Sequence, residues 1–443
     1  MLSRERKKLI KIVILNLIIC LAVQLLLPIN DLKYEKFWRY IVSFIFSYCI
    51  YKGTEEERLL NPYLLFSLTP LSLMIYSNKV SKYFLMELQT EIWLLAILNM
   101  IVFLIGLNFT LKWRIKTGKH ILFEERHLVN NESEIDYTWQ GMILFAIGLI
   151  PKLLSIIGIS MPGTHIISMC QYLGVAIMYI NKNKKLAYIM AIILLGLSFA
   201  TNFNKTEFLM LAVLFITCID SRINTKKEKK RLYITIILLA LTMILVIFPL
   251  KDFLARGESL SKFINSDKDY LANEFVGRFE WKGNIKFLMP YIYMTTNWTN
   301  LQYITHIFTQ HTNGLWLIKP LLGYLQISGG IKAYTSLTPY RPAFNTYSFI
   351  AVQYIDFGFF GSMIPSLLLG LFVGLIYKNY KKCPDSFNCA CYALNAVAVF
   401  EMFFSNHFFT QSYPFTIVIV AWICSKTIMQ FNKRMQYNSR SVW

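Results

Sequence analysis

Long apolar runs recur from one end of the chain to the other, and they restrict the fold more than any other feature. Twelve of them, near 9–27, 37–51, 62–76, 91–110, 139–159, 164–180, 186–200, 206–219, 232–250, 357–377, 386–404 and 413–429, read as spans. An apolar run of about 17–25 residues can cross a hydrocarbon core roughly 30 Å thick. In that solvent the backbone must satisfy its own N–H and C=O groups, which leaves helices or closed barrels. The runs lack the polar–apolar alternation of a barrel strand. Only 16% of the 443 residues are charged, against about 25% in soluble proteins. The expectation is an all-α polytopic membrane protein of about 12 transmembrane helices, forming a single integral membrane domain over 1–443.

The net charge of +20 is read as a topology signal, because Lys and Arg collect in short segments between spans: Arg4, Arg6, Lys7 and Lys8 at the start, then KWRIKTGK, NKNKK, SRINTKKEKKR, KNYKK and NKRMQYNSR. The positive-inside rule assigns these to the cytoplasm, together with both termini. The first apolar run has no small-residue cleavage site after it and is expected to stay as an uncleaved span. Residues 251–356 then fall outside as one large extracytoplasmic loop, within which LWLIKPLLGYLQ (315–326) reads as an interfacial or re-entrant piece. The basic clusters are separated by apolar runs, so they form no continuous surface for nucleic acid. None of the eight cysteines lies in 251–345, so that loop is not expected to be disulfide-stapled.

The residues able to do chemistry concentrate in the same outer loop. It carries Arg256, Arg278, Glu280, Lys282 and Arg341 beside many aromatics, among them Trp281 and Tyr347. Guanidinium forks suit phosphates, and aromatic faces suit the C–H faces of sugars. The alternative is an interfacial aromatic belt in contact with lipid headgroups. GRFEWKG (277–283) is either a phosphate or sugar clamp or an exposed salt-bridged turn. Arg341 stands between Pro339 and Pro342, which stiffen its backbone. Lys205 and Glu207, in TNFNKTEF, sit where two short spans meet; Lys205 either points into a water-filled cleft or snorkels. His407, in the last outer turn, is a donor or base, or a structural residue. No HExxH pair or P-loop is present, so neither a metal nor a cofactor is expected. Asp356 is a lone acid where the loop enters span 10, followed by Gly358 and Gly361, and an ionisable group there needs a partner or a task.

Three of these stretches together carry a resemblance: Lys205-Thr206 in a short outer turn, MPYIYMTTNWTNLQYI, and Asn345-Thr346-Tyr347 followed by Tyr354, Asp356, Phe357, Gly358 and Gly361 before a glycine-spaced span. The pattern resembles bacterial oligosaccharide repeat-unit polymerases, the Wzy-type enzymes of O-antigen, capsule and exopolysaccharide assembly, mainly over 196–380. The resemblance implies a metal-independent inverting glycosyltransferase in the bacterial cell (inner) membrane, with its active site on the extracytoplasmic face. It would move a growing glycan from undecaprenyl diphosphate to the non-reducing end of another lipid-linked repeat unit. It implies membrane lipid and the undecaprenyl-diphosphate-linked oligosaccharide as partners, with a chain-length regulator and a flippase as further ones. The family's basic outer-face groups fall on Lys205, Arg278 and Arg341, and its acid on Asp356. On that reading Arg278, Arg341, Glu280 and Asp356 are catalytic, with Asp356 or Glu280 as base or as an arginine anchor. Lys205, Arg256, Lys282, Trp281, Tyr347 and His407 bind substrate. An O-antigen ligase and a lipid-linked oligosaccharide flippase are the rival readings.

Overall fold

A computed structural model of the protein describes residues 11–18, 33–56, 58–76, 88–113, 137–159, 163–181, 183–201, 205–223, 225–242, 288–308, 310–318 and 346–440. Every regular element among them is helical. In chain order these are α1 (Lys33–Glu55), α2 (Pro62–Phe66), α3 (Leu68–Tyr76), α4 (Thr90–Lys112), α5 (Thr138–Ile156), α6 (Thr164–Ile180), α7 (Lys184–Thr201), α8 (Lys205–Asp220), α9 (Lys226–Thr242), α10 (Leu288–Ile307), α11 (Phe349–Gly361), α12 (Met363–Lys382), α13 (Ser386–Glu401), α14 (His407–Thr410) and α15 (Tyr413–Arg440). Three of them, α4, α5 and α12, are long and apolar enough to cross a membrane. Four shorter apolar stretches accompany them: Pro62–Tyr76, α6, α11 and Tyr413–Ile428. Large side chains such as Ile192, Ile364, Phe360 and Trp139 stand on the outside, as expected of a surface solvated by lipid rather than water.

Lipid tails are as apolar as leucine, so helices in a bilayer associate through close packing and polar contacts. The α4–α12 pair shows how. A Cβ on Gly370 would run into the Phe103 carbonyl, and one on Gly106 into the Leu367 carbonyl, so the two backbones touch. The α5–α6 pair repeats the device, with Gly148 against the Gln171 backbone and Gly174 against Gly141 and Phe145. Asn99 of α4 adds polar glue. It donates to Ser362 Oγ at 3.0 Å and accepts from Ser366 Oγ at 2.7 Å, and Ser366 Oγ also lies 2.6 Å from Gln353 Oε1.

Helix ends follow local chemistry. Asn61 caps α2 through Leu64 N, with Pro62 in the first turn. Asp385 caps α13 through Asn388 N at 2.8 Å. At this end of the bundle Arg58 donates to the Asp220 carbonyl and lies over the Tyr380 ring, whose hydroxyl lies 3.2 Å from Asp220 Oδ2. Glu56 nearby takes Tyr377 Oη at 3.0 Å and Lys381 Nζ at 2.9 Å.

Residues 62–76 form the expected apolar helical stretch, with a right-handed turn at Ser67 between α2 and α3. Two expectations need correction. The segment 251–356, read as a loop, contains the 20-residue helix α10 packed into the bundle. Its TTNWTNLQ core is too polar to register as an apolar run, yet Trp298, Leu301 and Ile304 are buried and Thr295, Asn297, Thr299 and Gln302 are buried with them. Span 10 is also divided. Helical structure begins at Phe349, before Asp356, and α11 breaks at Gly358 (φ 70°, ψ −165°) before α12 starts at Met363. Residues 319–326, most of the expected re-entrant piece, lie outside the described residues, while 315–318 form one helical turn. All seven described cysteines are free.

Candidate functional site

At the end of the bundle opposite Arg58 and Glu56, buried polar side chains form a layer across nearly every element. Helix α10 is its centre. Trp298 Nε1 donates to Ser72 Oγ at 3.1 Å, Tyr76 Oη lies 3.0 Å from Thr299 Oγ1, and Gln302 Oε1 accepts from Gln89 N at 3.0 Å. On its other side Asn300 Nδ2 donates to the Thr346 carbonyl at 2.6 Å, Thr296 and Thr346 share a 2.7 Å hydroxyl contact, and Asn297 donates to the Phe403 carbonyl. Residues 346–349 and 402–406 run side by side there. Tyr347 N donates to Phe404 O at 3.0 Å, Phe349 N to Met402 O at 3.2 Å, and Asn406 Nδ2 to Phe349 O at 2.6 Å. Around this crossing Asn297 Oδ1, Ser348 Oγ, Asn406 Oδ1 and His407 Nδ1 are buried without a hydrogen-bond partner among the described residues. Buried polar atoms are rarely left unmatched, so the crossing has unused capacity for hydroxyl or water ligands.

Two groups of charged residues complete the layer. Glu401, the last residue of α13, faces His407 Nε2 at 2.9 Å and Tyr413 Oη at 3.4 Å. Lys152, in the C-terminal half of α5, is ion-paired with Glu207, in the first turn of α8. Gln171 Nε2 approaches the same Glu207 oxygen at 3.4 Å, and Lys152 Nζ reaches the Leu194 carbonyl of α7 at 3.5 Å. Tyr172 lies close enough to Glu207 and Tyr413 to feel both electrostatically, which links the two groups. Glu207 stands at the favourable N-terminal pole of α8.

Asp356 is not at a loop mouth. It is fully buried in α11, and its carboxylate is occupied. Oδ1 accepts from Trp316 N at 2.9 Å and from the Thr312 hydroxyl, and Oδ2 accepts from Leu317 N at 2.8 Å. These are the first N–H groups of the helical turn 315–318, so Asp356 acts as an N-cap supplied from another element. The backbone reinforces the join, with Thr312 N on Ile355 O and Asn313 N on Asp356 O at 3.1 and 2.9 Å. Gly358 belongs to the same join. His311 lies over it, and a Cβ there would fall 2.5 Å from His311 Nε2. Gly358 therefore turns the chain where a side chain would not fit, whereas the acid's described partners are a hydroxyl and two backbone amides rather than an arginine.

Of the other residues expected at the site, Arg256, Arg278, Glu280, Trp281, Lys282 and Arg341 lie outside the described residues. Lys205 starts α8, two positions before Glu207. Tyr347 is half-buried beside residues 402–406, and burial pushes its phenol up. His407 is buried against Glu401. Sequence reading missed Lys152, Glu401, Gln171, Tyr172 and Tyr413. A signal existed for two of them, since Lys152 and Glu401 are lone charges inside the apolar runs AIGLIPKLLSI and AVAVFEMFF. Among the described residues no group of three or more His, Cys, Asp or Glu is arranged to hold a metal.

Comparison with known proteins returned no matching family model, no matching curated protein and no matching solved structure.

Proposed function

We propose that the protein is a multispan membrane glycosyltransferase that polymerises lipid-linked oligosaccharide repeat units. It passes the growing glycan from undecaprenyl diphosphate to the non-reducing end of another lipid-linked unit. In this reading the chain has about twelve spans and sits in a bacterial cell membrane with its basic loops and termini inside. The observation that carries it is the buried polar layer. A glycan enzyme embedded in lipid needs hydrogen-bonding side chains gathered at one face of an apolar bundle, and α10 with the 346–349/402–406 crossing supplies them. The positive-inside rule assigns that end to the outside, where lipid-linked glycan is assembled.

The chemistry asked of the site is displacement at C1 with loss of a lipid diphosphate. Negative charge grows on the departing diphosphate, so cations placed there lower the barrier. Arg278 and Arg341 are the proposed grips. The acceptor hydroxyl attacks from the opposite face and gives its proton to a carboxylate or imidazole. Asp356 has both oxygens engaged by donors, which suits a positioning residue better than a base. The base role then passes to Glu280 or to the Glu401–His407 pair.

One observation favours a second reading. Lys152–Glu207 and Glu401–His407 lie inside the helical bundle, where a lipid-linked oligosaccharide flippase would carry its charges. Expression in a bacterium lacking its own polymerase separates the two. A polymerase restores a ladder of glycan lengths, and Arg278→Ala or Arg341→Ala collapses it to single repeat units. A host lacking its flippase that regains exported single units points to transport instead, and a ligase attaches preformed glycan to its acceptor without making a ladder.

A further inference from the structure

The charged pair in the wall between α5 and α8 invites a question the fold alone does not answer. An ionised lysine within an apolar helix is costly, and a buried ion pair is a poor source of stability, since matched apolar residues serve as well or better. Lys152 is nonetheless present, next to Pro151 inside α5. The pair is not sealed, because its side chains are 15% and 10% exposed. The ammonium also reaches the Leu194 carbonyl of α7, and the same two helices expose Ile150, Leu153 and Ile156 on α5 and Ile189, Ile192 and Ile193 on α7. Gln171, 2% exposed, keeps its Oε1 without a partner among the described residues beside the pair.

We propose that Lys152 binds a phosphate group entering from the bilayer side, and that Glu207 holds the ammonium in place until it arrives. The inference rests on the reading above in taking a lipid diphosphate as the natural ligand. In the empty state Glu207 neutralises Lys152 and fixes it between α5, α7 and α8. A phosphate carries more negative charge than a carboxylate and offers more acceptor oxygens, so it takes over the ammonium. Gln171 turns its free amide oxygen toward a hydroxyl on the incoming headgroup. The isoleucine walls accept the isoprenoid tail. Lys152 is a point-charge donor with three rotatable N–H groups, suited to exchanging partners.

The test uses the purified full-length protein in nanodiscs, with geranylgeranyl diphosphate, geranylgeraniol and inorganic pyrophosphate as probes and intrinsic tryptophan fluorescence as the readout. Wild-type protein is expected to bind geranylgeranyl diphosphate at least tenfold more tightly than geranylgeraniol. Lys152→Met loses that preference, and Lys152→Arg keeps most of it. Glu207→Gln, which removes the competing carboxylate, binds the diphosphate as tightly as wild type or more so. The decisive variant is Lys152→Met/Glu207→Gln. It removes both charges together, so thermal stability recovers while diphosphate binding stays lost. Unchanged binding in Lys152→Met, or binding restored in the double variant, overturns the proposal and leaves a purely structural pair. Pyrophosphate competing as well as the lipid overturns entry from the bilayer. If the wild type makes no glycan ladder yet shows Lys152-dependent diphosphate binding, the polymerase reading falls and this site stands.

Discussion

Removing the Asp356 carboxylate should destabilise the protein before it affects any chemistry. The acid takes three donors, Thr312 Oγ1, Trp316 N and Leu317 N. A hydrogen bond to a charged group contributes about 1.5–3 kcal/mol, and a buried donor left unmatched costs about 1–3 kcal/mol. The three bonds share one acceptor group and are not additive, so we expect Asp356→Ala to cost on the order of 4 kcal/mol. Asp356→Asn keeps one acceptor oxygen and sets an NH2 against a backbone or hydroxyl donor; its expected cost is about 2 kcal/mol. Thermal melting of the detergent-solubilised protein gives the stability, and hydrogen exchange over 310–318 localises it. The expected pattern is a lowered midpoint with faster exchange at Trp316 and Leu317 in both variants. A normal midpoint and normal exchange in Asp356→Asn, with glycan synthesis abolished, would falsify the capping role and return Asp356 to direct catalysis.

Four more outcomes follow from the same geometry. Gly358→Ala places a Cβ against His311 at a backbone conformation reserved for glycine, and should cost about 1–3 kcal/mol, read as a drop in melting midpoint. Gly106→Val forces α4 off the Leu367 carbonyl of α12; a loss of about 1–3 kcal/mol is expected, and a disulfide or crosslink between the two helices should form less readily. Glu401→Leu removes the carboxylate that lies 2.9 Å from His407 Nε2 and accepts from the Tyr413 hydroxyl. It should be destabilising by about 3 kcal/mol, with Glu401→Leu/His407→Phe recovering much of that in a double-mutant cycle. Asn300→Leu deletes the tie to the Thr346 carbonyl and should loosen the 346–349 segment, raising cysteine labelling at a Thr346→Cys reporter relative to the reporter alone.

Much of the scaffold was legible in the order of residues because lipid imposes one-dimensional rules. A helix in hydrocarbon must be apolar along its length, and α4, α5, α6 and α12 stand close to where apolar runs put them. The break itself was not legible as such: span 10 read as one run, and only Gly358, at φ 70°, takes a backbone conformation that other residues resist. Helix α10 was not legible. Its Asn, Thr and Gln residues are polar along the sequence and buried in space, because Ser72, Tyr76, Gln89, Thr346 and Phe403 come from distant segments to satisfy them. A hydropathy pattern cannot register a polar helix whose partners lie far away in the chain.

Composition and periodicity alone determine that this is an all-helical chain with apolar runs fit for a membrane. The tertiary structure decides which charges meet. Lys152 finds Glu207, and Glu401 finds His407, across separations no local pattern encodes. Asp356, the residue most easily given a catalytic task from its position in the sequence, instead holds the helical turn at 315–318. The physical reason is that a carboxylate is defined by its donors, and those donors lie about forty residues earlier in the chain.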